Sequence, residues 1–207
     1  MTPPNKTERR PIVDTHRHPI GPKLAARMAE RGLYDPKQEF PQTNPQDLIC
    51  YREFFDLDYA MPKQREGGVT LSVASNGGEV DWFAQDLLQV STGEALKFLN
   101  DEYLEIRDRY PGEFALMANA HALEESCRPI VEEMISQGGA KAIAVASSYG
   151  DGGDRAYLDS PKAEWLWSLP KRMTSSSTFI HQCCRSGMRR SCNTALTRRS
   201  VAPSTRP

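Results

Sequence analysis

Four times along the chain a short apolar run gives way to a stretch in which apolar residues recur every third or fourth position. The first pattern is that of a buried strand and the second that of a helix with one face turned inward. Pro11–His16, Val69–Ala74, Phe114–Ala120 and Ala140–Ala146 are the predicted strands. The predicted helices cover Pro22–Gly32, with Leu24, Met28 and Leu33 on one side, Gln46–Glu66, Glu79–Val90, Thr92–Tyr110 and Glu124–Gln137. Gly67-Gly68 and Gly138-Gly139 supply stops, and Ser160 as N-cap with Pro161 behind it opens a helix carrying Trp165 and Trp167. Those two tryptophans cannot share one helix side, so at least one packs inward. Strand and helix in alternation imply a parallel sheet with right-handed crossovers. Periodicity does not separate a doubly wound sheet from a barrel.

The first strand ends in chemistry. Ile12-Val13-Asp14-Thr15-His16-Arg17-His18 puts His16 and His18 on one strand face, with Asp14 on the same side to orient or support them and Arg17 on the other. Neutral imidazole is a common ligand of zinc and its neighbours, so the pair is a candidate for holding one divalent ion. Two donors do not close a site that needs three, and two surface histidines at a strand's end is the other reading of the same pattern.

The Asp-x-His-x-His stretch resembles the first-strand signature of the amidohydrolase superfamily, in the branch that includes aminocarboxymuconate-semialdehyde decarboxylase and resorcylate-type decarboxylases. Leu99–Tyr103 with Arg109–Ala115, then Gly139–Val145, then Tyr157–Pro161 follow in the order of that family's helix and turn into strand three, its fourth strand and its next helix. The resemblance runs from about Pro11 to Trp167. It implies an α/β fold, the N-terminal half of a metal-dependent (β/α)8 TIM barrel, with residues 11–169 as that half and Tyr34–Ala60 as an insertion covering the site. It makes His16 and His18 metal ligands, zinc first and manganese second. Strand exits, where catalytic groups of barrels collect, then fall at His16/His18, Ser75/Asn76, His121 and Ser147–Tyr149. Ser75, Asn76 and His121 become candidate substrate-binding residues; for His121, a histidine simply hydrogen-bonded in place is the plainer alternative. The sixth-strand histidine and eighth-strand aspartate of the family have no counterpart, and a complete barrel takes about 250 residues.

Charge divides the chain. Of 26 basic residues, 8 lie between Lys171 and Pro207, where there is no acid, leaving 18 basic against 27 acidic residues before them. Residues 1–10 read as a loose N-terminus and 170–207 as an irregular basic tail, which also holds Cys183, Cys184 and Cys192. Cys50 and Cys127 stand alone as reduced thiols, and neither an apolar run long enough to cross a bilayer nor a leader pattern is present, which implies a cytoplasmic protein. Gly150–Asp154 lacks the Lys-Ser/Thr of a P-loop and reads as a loop.

The tail has a second reading, in which it is out of frame. Regrouped from the third base of each codon, serines written TCN behind Thr174, Ser175 and Ser176 turn into three apolar residues. Met173 followed by Thr174 must give Asp, and Phe179–Gln182 can give His-Pro-Pro. That is a buried strand ending in histidine, similar to the family's fifth strand, and on this reading His181 is an accident of frame.

The function implied by the resemblance is metal-dependent decarboxylation, or hydrolysis, of a small aromatic or dienoic carboxylic acid. Full-length family members suggest a homodimer. This chain, lacking the second barrel half, is expected to show little activity and to aggregate. A non-catalytic α/β protein whose basic tail binds an acidic partner is the alternative; nucleic acid is the less favoured partner, for want of interleaved aromatics.

Overall fold

The computed structural model describes residues 11–43, 49–76, 80–150 and 156–169, and the backbone of 179–183 and 195–196. The chain divides into two compact units, 1–74 with 105–115 and 75–104 with 116–207.

In the first unit, β1 (Ile12–Arg17) runs parallel to β4 (Val69–Ala74), pairing Val13 with Leu71 and Arg17 with Ala74, with a register shift between Asp14 and Arg17. Helix α1 (Pro22–Glu30) starts on a proline that needs no amide partner and buries Leu24 and Met28. Of Gln46–Glu66, expected as one helix, the described part, residues 49–66, is instead a short strand and two helices. β2 (Gln42–Thr43) and β3 (Ile49–Cys50) form a short antiparallel ladder, followed by α2 (Arg52–Phe55) and α3 (Leu57–Glu66). Asp56 explains the break: its non-helical backbone ends α2, and its carboxylate accepts the Tyr59 amide to cap α3. Tyr34, Phe40 and Phe55 stack at centroid distances of 4.3–5.9 Å. They line a cavity of about 1020 Å³ with Tyr59, Arg109 and Tyr110.

In the second unit, α4 (Val80–Trp82) passes into a π-helical turn over Phe83–Leu88 that ends on Gln89 at φ 57°, where one long helix was expected. α5 (Thr92–Arg109), which continues into the first unit, ends one residue short of the predicted Tyr110. β5 (Phe114–Asn119), begun in the first unit, pairs parallel with β6 (Ala142–Ala146), whose five residues are all buried. Between them α6 (Arg128–Ser136) buries Val131 and Met134. The predicted glycine stop is real: Gly139 takes φ 71°, and a Cβ on Gly138 would come within 2.6 Å of the Met134 carbonyl. β7 (Ser148–Tyr149) and β8 (Ala156–Tyr157) pair antiparallel, and α7 (Glu164–Ser168) follows. Trp165 is the inward tryptophan, its indole N–H donating to the Ala122 carbonyl at 2.7 Å; that of Trp167 reaches Leu158 at 3.2 Å.

The tail departs from its expected irregularity at two places. β9 (Phe179–Cys183) extends the sheet beside β6 in parallel, and β10 (Ala195–Leu196) returns antiparallel to it. A fifth strand is thus formed by the residues as translated, with His181 opposite Ala144. The rest of the tail, the loose N-terminus and the loop from Asp151 to Arg155 lie outside the described residues. The parallel strands are hydrogen-bonded in chain order, the order of one half of a (β/α)8 barrel.

Candidate functional site

The first unit brings His16 and His18 together. The register shift at the end of β1 lets the two rings meet edge to face, centroids 4.4 Å apart and 84° between planes, with Nε2 atoms 2.9 Å apart. Partial burial and the neighbouring His18 lower the pKa of His16, against an upward pull from Asp14. Asp14 supports the pair through the main chain: its carboxylate accepts the His16 amide at 3.2 Å. Arg17 faces away, as expected, and is buried against Met61 Sδ (3.7 Å), the Glu53 carbonyl (3.3 Å) and the Phe114 ring. The cavity among the cover residues is a separate feature, since neither histidine belongs to its described lining.

The second unit holds the other predicted residues, all buried. Asn76, at the exit of β4, donates its amide to Asn119 Oδ1 at 2.7 Å. Asn119 in turn donates its amide and its Nδ2 to Asn100 Oδ1, both at 3.1 Å. Main-chain donors fix both acceptor orientations, so Asn100 Nδ2 must turn the other way, where it has no hydrogen-bond partner among the described residues. Ser75 sits beside this chain of amides, 1% exposed.

His121, two residues beyond β5, lies 3.0 Å by Nε2 from Asp81 Oδ1 and 3.9 Å from Glu124 Oε1, its ring 4.1 Å from that of Tyr149. The Tyr149 hydroxyl accepts the Ala122 amide at 2.9 Å, and burial raises its pKa. Cys127, beside Glu124, is pushed up to about 11, mainly by burial. It and Cys50 are both buried and unbridged. Asp81, Asn100 and Asn119 escaped the sequence reading because nothing in an amphipathic helix or a buried strand marks one polar residue as facing another. A strand exit followed by an acid in the next first turn was the available signal for Asp81.

Among the described residues no three His, Cys, Asp or Glu form a group able to hold a metal ion, and no helix is long and apolar enough to cross a membrane.

No protein-family model and no curated protein matches the sequence. Solved structures do match the fold. A dihydroxybenzoic acid decarboxylase from Polaromonas sp. JS666, with bound manganese and 2-nitroresorcinol, is similar at TM-score 0.57 and 16% identity over 84% of this chain and 49% of that one. A 5-carboxyvanillate decarboxylase from Novosphingobium aromaticivorans DSM 12444, also with manganese, is similar at 0.55 and 18% over 83% and 50%. A 4-oxalomesaconate hydratase from Rhodopseudomonas palustris is similar at 0.53 and 17% over 83% and 52%. The chain thus spans about half the length of the structures it matches.

Proposed function

We propose that this chain is the metal-binding half of an amidohydrolase-superfamily enzyme that decarboxylates, or hydrolyses, a small aromatic or dienoic carboxylic acid at one divalent ion. The convergence of the two Nε2 atoms at the end of β1 carries the reading. Manganese stands beside zinc as the candidate ion, since two of the similar decarboxylases hold manganese.

The residues fit such an ion as part of a donor set. His16 and His18 would hold it, Asp14 would fix the main chain beneath them, and the depressed His16 pKa would limit competition from protons. The ion's contribution would be to polarise a carboxylate or lower the pKa of water. Ser75, Asn76 and His121 are proposed as substrate-binding groups, on the strength of their places at strand exits and their buried polar atoms.

Manganese titration followed by electron paramagnetic resonance tests the metal site. One ion per chain should bind, weakly for want of further donors, and His16→Ala or His18→Ala should abolish binding. Binding that survives both replacements would refute the assignment. Carbon dioxide release from 2,6-dihydroxybenzoate tests the activity, which is expected to be very low until a second barrel half is supplied in trans.

A further inference from the structure

In the second unit, side chains from three separate segments close on one imidazole. His121 is 6% exposed, its Nε2 faces the carboxylates of Asp81 and Glu124, and its ring packs on Tyr149. A carboxylate only accepts hydrogen bonds, so the proton belongs on Nε2 and Nδ1 is left as a bare lone pair. That Nδ1 is buried with no hydrogen-bond partner among the described residues. Tyr149 packs its ring against the imidazole, and its hydroxyl, which accepts the Ala122 amide, makes no hydrogen bond to Nδ1. A buried acceptor is ordinarily paired, and one left open marks a place for a missing donor.

We infer that His121, oriented by Asp81, is a proton acceptor for a neutral hydroxyl of a bound ligand, a phenol or an alcohol. The two carboxylates behind the ring decide the class. They repel an anionic ligand end and tolerate a neutral hydroxyl. In proton transfer the ligand O–H bond breaks toward oxygen, the proton goes to Nδ1, and the Nε2–H to Asp81 remains in place. A carboxylate group of a substrate would accordingly turn away from His121 and its hydroxyl toward it. The inference rests on reading His121 as a ligand-facing group and is independent of any metal at His16 and His18.

The test uses the full chain labelled with 15N-histidine and no added metal, with resorcinol as the probe. Only four histidines are present, and His121→Asn identifies the signal of interest. At about pH 7.5 His121 should be a single Nε2–H tautomer with a pyridine-type Nδ1 resonance. Resorcinol should shift that resonance and benzoate should not. Asp81→Asn should mix the tautomers and weaken resorcinol binding about tenfold. An Nδ1–H tautomer, or an Nδ1 resonance that saturating resorcinol leaves in place, overturns the inference. Both are read on the unaltered protein, so a variant that fails to fold does not remove the test. Because the metal is absent throughout, failure here and failure of the metal assignment are told apart.

Discussion

β1 and β6 both lie in parallel pairings and both carry adjacent branched apolar or alanine residues, yet one is open and the other closed. All five residues of β6 are buried, whereas Ile12 and Val13 of β1 are 50% and 47% exposed. Parallel strands normally have both faces covered, and β6 meets that condition between two strand neighbours. β1 has one strand neighbour among the described residues. Apolar residues in the two strands therefore do unequal work, because burial decides how much each contributes to stability.

The largest expected effect sharpens that contrast. Ile143→Ala, at a fully buried position of β6, should cost about 2–5 kcal/mol in chemical denaturation, and Ile12→Ala on β1 well under half of that. Equal losses would dissolve the distinction. Next, Asn119→Ala should cost about 1–3 kcal/mol, since it strands the Asn76 amide and removes a donor to Asn100. Trp165→Phe should cost about 1 kcal/mol by leaving the Ala122 carbonyl without its indole donor.

Alkaline pH probes each unit through one group. Tyr110 in the first unit is raised to about 12 by burial and its hydrogen bond to Asp58, and Cys127 in the second to about 11. Both have folded values above their unfolded ones. Their stabilisation is complete below about pH 9 and is lost as pH rises through the folded values. Urea midpoints should fall between about pH 9 and 11, less so in Cys127→Ala. The smallest change in stability is expected from Ile12→Lys, within about 0.5 kcal/mol. Sedimentation velocity should nonetheless show less self-association, because a charged side chain blunts an open strand edge.

The four strands and the long α5 were legible because each repeats one period over enough residues to be distinctive. Val69–Ala74 was placed to the residue. His16 and His18 were legible as a pair from their spacing of two, but the meeting of their rings also depends on the register shift at the end of β1, which the spacing does not reveal. What stayed hidden depended on single residues acting across the chain: Asp56 splitting one expected helix, the π-helical turn over Phe83–Leu88, and Asp81 reaching His121. β9 was missed because serine, cysteine and basic residues around it dilute the apolar signal, and its pairing with β6 is a nonlocal event.

The two asparagine side chains that meet at Asn119 and Asn100 carry a consequence for how this sequence can change over time. Apolar neighbours can be exchanged for one another at small cost, one by one. These two cannot, because losing Asn119 orphans the Asn76 amide and losing Asn100 orphans the amide and Nδ2 of Asn119. Among descendants of this chain, Asn119 and Asn100 should drift last and together, whereas position 76 contributes only its main-chain amide to them and is free to change without them.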